Sequence, residues 1–333
     1  MLEINQPALA YWKSHGYKKE DIDQVCKELD DEFMLARVSF EGNGKVNVSI
    51  SKKTWSRQEG HYPTVLEFFA ELAKLPQCEE LKGTILVWLE DGLWLHNRDA
   101  FKKVPVFTYG KHFSDHESLL MPDPSFLKTF GYKIDRDKIN SWDNAVNKKL
   151  KTIFWRGAAS GIGIEGPDWS STPRGRITLL SNKISNLDIL DAKITRYKHL
   201  SDEQKEVLKQ AEVIGEECEF KDFLNYLYLI DADGYSCAWQ SLFLKLLSKS
   251  LVLKIHSNYR QWYFDKLIPW VHYVPIREDL CDLLDTYDWL IHNDSEVRAI
   301  IANANSLLEE ITYEKELDNM AELIQIVITQ MRE

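Results

Sequence analysis

An α/β fold built from two successive units is what this 333-residue sequence predicts. Three observations predict it. Short apolar runs recur along the chain, separated by segments with helical periodicity, the succession that gives layered α/β structure. A weakly patterned stretch at 121–147, with Pro122 and Pro124 near its start, divides the runs into an earlier and a later set. Several later runs end in tight clusters of polar and aromatic residues, as strands do where the C-terminal edge of a sheet meets a ligand.

The elements follow in order. Residues 7–38 carry Tyr11, Ile22, Val25, Leu29 and Phe33 at helix-like spacing and are expected to be helical. Lys45-Val-Asn-Val-Ser-Ile50 alternates as a strand does. The amphipathic helix Thr64–Ala73 follows, then strands at Thr84–Leu89 and Val104–Thr108. After the linker, Lys151–Trp155 opens the second unit. Strands are expected near 191–195, 226–230, 251–255 and 272–274. Helices are expected at 174–184, 202–214, 238–248, 278–291 and 294–310. The tail 315–333 reads as a further amphipathic helix. The expected boundaries are 1–147, 148–312 and 313–333, the last packing back on the first unit.

Composition narrows the partners. Lys and Arg total 41 against 52 Asp and Glu, a formal charge of −11. Such a field disfavours nucleic acid, whose binding requires phosphate neutralisation. It is compatible with a small anion held in a local basic pocket. Five widely spaced Cys form no C-x-x-C pair and read as reduced thiols. No basic segment followed by an apolar run marks a signal peptide, and no apolar run approaches the roughly 18 residues of a spanning helix. A cytoplasmic protein is the expectation. Lys148-Lys-Leu-Lys151 leaves room for peripheral contact with an anionic membrane face.

Several motifs compete for the chemistry. Gly161-Ile-Gly163-Ile-Glu-Gly166 matches G-x-G-x-x-G, but Pro167–Pro173 follows where a dinucleotide site needs a helix, so a loop is the better reading. Ser171 or Thr172 followed by Pro173 is a good helix start, and it places Arg174 and Arg176 in the first turn. Cations there oppose the helix dipole unless an anion joins them, so a diphosphate met by free N–H groups and an Arg fork fits. Asp231-Ala-Asp233 is a D-x-D at a strand end that either holds a metal or opens a turn at Gly234. Asp91, just past a strand, is placed where a general base would deprotonate a sugar hydroxyl, or is an ordinary turn acid.

One ordered series is more specific than any of these: Phe154-Trp-Arg-Gly157, Asp233-Gly234 with Ser236-Cys-Ala-Trp239, Ser250–Lys254, Trp262-Tyr263, Pro269–Pro275 and Asp279-Leu280. In this order it resembles the CAP10-like glycosyltransferases of family 90. That family includes protein O-glucosyltransferases and bacterial lipooligosaccharide core transferases of the LpsA type. The resemblance runs from Thr84 to Leu308.

It implies a GT-B-like fold, two Rossmann-like lobes facing across a cleft, and inverting transfer from a UDP-sugar without metal or other cofactor. Asp91 matches the family's catalytic aspartate. Arg156 and Gly157 match its Arg-Gly segment, and Arg174 best matches the diphosphate arginine, with Arg176 the alternative because the loop 158–173 is long. Gly234, Ser236, Trp239 and Ser241 match the donor loop and helix start. Ser241 falls where O-glucosyltransferases carry an arginine, a contact that Arg176 or Lys254 would replace. The bacterial branch implies a lipid-linked glycan acceptor at the inner face of the cell membrane. The alternatives are a metal-dependent GT-A-like transferase using Asp231 and Asp233, and a non-catalytic nucleotide- or glycan-binding module.

Overall fold

The computed structural model describes residues 1–57, 62–142, 145–161 and 169–330. Among them the first strands are β1 (Leu35–Gly42), β2 (Lys45–Ile50), β3 (Lys82–Trp88), β4 (Val106–Thr108), β5 (Lys111–His112) and β6 (Leu119–Leu120). The later ones are β7 (Leu150–Ala158), β8 (Leu190–Arg196), β9 (Tyr226–Asp231), β10 (Leu251–Ile255), β11 (Tyr259–Arg260) and β12 (Val274–Ile276). The chain divides into two compact units. One holds Met1–Tyr132, Asn258–Asp265 and Ile311–Glu333; the other holds Lys133–Ser257 and Lys266–Glu310.

The first unit is built on a five-stranded sheet in the order β2-β1-β3-β4-β6. β1 runs antiparallel to both β2 and β3, whereas β3, β4 and β6 are parallel. The expectation of helix throughout 7–38 is corrected here. Helices Leu2–His15 and Lys19–Glu28 are separated at Gly16, whose φ is 66°, and Leu35 onward is strand. The reason is visible in the residues: Ala36, Val38 and Phe40 alternate inward along β1, a period of two that tertiary pairing on both edges enforces. Gly42-Asn43-Gly44, all at positive φ, closes the β1–β2 hairpin as such a turn requires. The helix Tyr313–Gln330 belongs to this unit and lies so close over β3 that a Cβ on Gly83 would fall 2.4 Å from Ile328 Cγ2. The stretch expected to be a weakly patterned linker instead contains helices Pro124–Lys128 and Lys133–Ser141.

The second unit carries an all-parallel sheet in the order β12-β10-β9-β7-β8. Counting its own strands along the chain, the order is 2-1-3-4-5, a doubly wound arrangement with its switch point between β7 and β9. From β7 the chain leaves through helix Pro173–Lys183 to β8. From β9 it leaves the other way, through helix Gln240–Leu247, to β10. The carboxyl ends of β7 and β9 therefore part, and that parting makes the crevice where doubly wound sheets bind ligands. Ile153, Trp155, Ile230, Leu251 and Leu253 form the buried core with Ile177 of the first helix. Both faces are covered, so β10 is buried along its whole length, as parallel strands are. A lysine in that run, Lys254, needs an explanation, and the site supplies it.

Candidate active site at the switch point of the parallel sheet

The helix after β7 starts where its residues dictate. Thr172 caps it, its Oγ1 accepting from Gly175 N at 3.0 Å, and Pro173 occupies the first position. This start carries Arg174 into the switch point. Its guanidinium donates from Nη1 to the carbonyl oxygen of Ala158, the last residue of β7, at 2.8 Å and to Ser160 Oγ just past it. Its Nε donates to Ala232 O, just past β9, at 3.3 Å. One side chain thus ties together the two strand ends whose connections diverge. The Trp155 ring lies 5.8 Å beneath it.

Below Arg174 lies a buried ionic group. Lys245, on the helix Gln240–Leu247, donates to Asp231 Oδ1 at 2.9 Å and to Ile230 O at 3.1 Å. Lys254 stands 3.7 Å from Asp231 and 3.5 Å from Asp233. Asp231 is fully buried, Lys245 1% exposed, Asp233 6% and Lys254 8%. Burial by itself would raise the Asp231 carboxyl, but the two ammonium groups outweigh it and hold Asp231 below the usual carboxylate range. For Asp233 burial wins, with the neighbouring Asp231 charge adding to it, and its carboxyl is raised. Burial also lowers the Arg174 guanidinium, opposed by Asp231 and Asp233.

The charges do not cancel: Arg174, Lys245 and Lys254 face Asp231 and Asp233. Unbalanced positive charge at low dielectric is costly without an anion, so this edge is suited to receive one. The same lysines explain the D-x-D. Its carboxylates neutralise ammonium groups from beneath, a role that leaves them poorly disposed to a divalent cation. No cluster of three His, Cys, Asp or Glu side chains among the described residues is placed to hold a metal.

Gly234 brings backbone against the arginine. A Cβ there would sit 2.9 Å from Ser160 Oγ and 3.1 Å from Arg174 Nη2. Ser236 follows, 1% exposed, its Oγ buried without a hydrogen-bond partner among the described residues. Trp239 takes the N-cap position of the next helix at φ 50°, a costly backbone for a bulky residue. Ser241 is exposed in the first turn. Arg174, Gly234, Ser236, Trp239 and Lys254 thus belong to one edge of one sheet.

Arg156 does not join them. Strand alternation puts it on the face opposite Trp155. There it forms a fork with Asp191, Nη1 to Oδ1 at 2.8 Å and Nη2 to Oδ2 at 2.8 Å. Its guanidinium lies 4.4 Å over Phe154. Gly157 serves the Trp155 side, where a Cβ would fall 2.5 Å from the indole. Arg176 points elsewhere again, donating from Nη1 to Glu278 O at 3.0 Å and to Glu278 Oε1 at 3.2 Å. Gly161 is described, at φ 132°, whereas Gly163 and Gly166 lie outside the described residues.

In the first unit Asp91 is exposed in the bend just past β3, at the carboxyl end of the parallel part of the sheet. Its neighbour Glu90 is committed differently, Oε1 accepting from Met34 N at 3.2 Å. The turn continues through Gly92 at φ 36°.

Two features were not assigned roles from sequence. Lys245 interrupts an apolar helix, and a lysine inside a buried run is itself the signal of a buried acid nearby. The second is a cavity of about 650 Å³ at the ends of β10 and β12, lined by Arg176, His256, Trp270, Glu278 and Asp282 among others.

A two-unit α/β protein with an anion-ready switch point is the class this geometry defines. The chain belongs to glycosyl transferase family 90, which it matches over residues 82–327. It is 29% identical over 259 residues to protein O-glucosyltransferase 3 of Homo sapiens, a match covering 65% of this chain and 50% of that protein. Protein O-glucosyltransferase 2 of Danio rerio is 30% identical over 236 residues, covering 68% and 42%. The chain therefore spans about half the length of the curated relatives it matches. Among solved structures, Anabaena HepE in complex with UDP and glucose overlaps 79% of this chain and 75% of its own at 9% identity and a TM-score of 0.42. Among the described residues no helix is long and apolar enough to cross a membrane.

Proposed function

We propose that the chain is an inverting glycosyltransferase of the GT-B class that moves a hexose from a UDP-sugar to a hydroxyl of a glycan or protein acceptor. The observation that carries this reading is Arg174, lodged at the switch point over a balanced buried ionic group, to which it adds one positive charge in excess. A nucleoside diphosphate is the leaving group such an edge suits. Family membership supplies the reaction class.

In this reading Asp91 accepts the proton of the acceptor hydroxyl as its oxygen forms a bond to the anomeric carbon. The bond from that carbon to the diphosphate oxygen breaks, and the electron pair leaves with the diphosphate. Arg174, the N–H groups beyond Gly234 and the Ser236 hydroxyl receive the developing charge. Preorganised donors of this kind are usually the largest catalytic contribution. The reading is metal-independent, because Lys245 and Lys254 already neutralise Asp231 and Asp233. It is supported by the pairing distances above.

Two acceptor classes remain in play. The resemblance to bacterial core transferases favours a lipid-linked oligosaccharide at the inner membrane face. The names of the curated relatives favour a protein side-chain hydroxyl. The test begins with UDP- and GDP-sugars scored by thermal shift, followed by transfer to each acceptor class with and without EDTA. UDP-sugar stabilisation and EDTA-resistant transfer are expected. Asp91→Asn is expected to bind donor normally and to lose about 100-fold or more in rate. Near-normal turnover in that variant would remove Asp91 from the mechanism. Absence of any nucleotide-sugar binding would leave only a module of another function.

A further inference from the structure

The first unit's sheet has an open edge. β2 ends the order β2-β1-β3-β4-β6, and among the described residues no strand pairs with its outer side. The hairpin's alternation fixes which groups stand there. Ser51 N donates to Leu35 O at 3.0 Å, so the pairs Ser49–Arg37 and Asn47–Ser39 are those that exchange bonds across β1 and β2. Val46, Val48 and Ile50, opposite Phe40, Val38 and Ala36, therefore turn their N–H and C=O groups outward. Natural sheet edges are blunted by proline, a bulge or an inward-pointing charge. The stretch Val46–Ile50 has none of these, and the single charge of β2, Lys45, is its exposed first residue.

A groove of about 540 Å³ follows this edge, lined by Lys45, Val46 and Val48 on one side and by Leu66, Ala70 and Lys74 on the other. Leu66 and Ala70 lie one turn apart on the helix Tyr62–Leu72, and Lys74 continues their stripe. The helix is held over the sheet by its buried face, where the Phe69 ring meets Phe40 of β1 at 6.3 Å. Val46 and Val48 share the Phe40 face, yet they are only half-buried because nothing continues the sheet beyond them. Charge selects the occupant. Neither Lys45 nor Lys74 is ion-paired among the described residues. Both stand at the hairpin end, where a Cβ on Gly44 would lie 3.8 Å from Lys74 Cα. The remaining charge of the lining, Glu41, has Lys82 opposite it across β1 and β3. A second copy of β2 is a poor match: it contains no acid, and antiparallel pairing would carry its Lys52 and Lys53 toward Lys45.

We propose that the groove between β2 and the helix Tyr62–Leu72 takes an extended acidic peptide segment of another protein. The segment joins the five-stranded sheet as a further strand through the outward groups of Val46, Val48 and Ile50. Every second side chain, apolar, rests on Leu66 and Ala70, and its acidic residues lie at the end beside Lys45 and Lys74. Main-chain bonds supply the affinity and the alternate side chains the preference, as in other sites of strand addition. Every residue of the groove precedes residue 82, where the match to family 90 begins. The surface is thus independent of the transfer chemistry, and it stands or falls apart from the nucleotide-sugar reading.

The experiment selects binders of the full chain from a random library of short peptides and titrates the tightest, fluorescently labelled, by anisotropy. That peptide is expected to alternate apolar residues and to carry Asp or Glu toward one end. Val48→Pro removes an outward N–H at a position where an edge strand tolerates proline, and is expected to weaken the peptide about tenfold or more. Val48→Thr keeps the donor and is expected to stay within about threefold of the wild type. Lys74→Glu, at an exposed position, is expected to weaken the peptide about threefold to tenfold at low salt, and it decides the matter if Val48→Pro does not fold. Equal affinity for the wild type and Lys74→Glu overturns the proposal, as does a library that yields no peptide. Sedimentation of the chain alone tests the other occupant: a dimeric wild type made monomeric by Val48→Pro assigns the edge to a second copy and overturns the proposal too.

Discussion

Replacing Lys245 by Met isolates the ionic group beneath the switch point. Methionine matches the lysine stem in size and apolarity, so the change is the lost ammonium. Asp231 would then be fully buried with Oδ1 lacking its 2.9 Å donor, and only Lys254 at 3.7 Å and the Arg174 guanidinium would be left for charge. Removing one partner of a buried pair costs about 3–5 kcal/mol, because the surviving charge stays out of water. The unit that carries the pair has roughly 170 residues, a size at which 1 kcal/mol shifts the melting temperature by about 2–4 °C. Lys245→Met is therefore expected to melt roughly 6–20 °C below the wild type by calorimetry. Lys245→Met with Asp231→Asn removes the orphaned charge and should recover a large part of that loss, with a coupling of about 1.5 kcal/mol or more. A drop under about 3 °C for the single variant, or a double variant whose loss is merely the sum of the singles, would refute the argument.

Gly234→Ala should leave stability nearly unchanged, since no positive φ is involved, yet its Cβ would stand 2.9 Å from Ser160 Oγ and 3.1 Å from Arg174 Nη2. Displacing a charge-positioning arginine by a fraction of an ångström should lower kcat/KM for a UDP-sugar by tenfold to about 100-fold, and an unaltered value would exclude Arg174 from the donor site. Asp123, buried at the start of helix Pro124–Lys128, has its carboxyl pushed up to about 6 by desolvation, although Tyr132 Oη, Ser125 N and Phe126 N all donate to it. Its folded value lies above the unfolded one near 4, so the folded state holds the extra proton between them. Stability from this group is therefore present in acid and lost as pH rises through about 6. In urea unfolding, Asp123→Asn should lose that component, making the wild type's decline from pH 4.5 to 7.5 steeper by about 2 kcal/mol; equal slopes would count against it.

The second unit was readable in outline from residues because parallel strands buried on both faces are continuous apolar runs, and Tyr226–Ile230 and Leu251–Ile255 have nothing else to be. Its candidate site edge was marked for the same reason, since polar clusters end those runs. The first unit was less legible. Leu35–Gly42 was hidden within a longer helical pattern, because its alternation means little until β2 and β3 pair with it.

By itself the sequence determined a two-unit α/β chain, the start of a helix at Pro173, and the ordered motifs that place it in family 90. These depend on local periodicity, caps and residue order, all of which are one-dimensional. Only the tertiary structure decided which charges meet. Arg156 and Arg174 stand at equal prominence in sequence, yet alternation along β7 sends one to Asp191 on one face while the helix turn carries the other to the switch point. Arg176, two residues further, is drawn to Glu278, 102 residues away. Lys245 looked like an interruption and is the counterion of Asp231. Charge pairing acts through space over a few ångströms, and sequence separation carries no record of it.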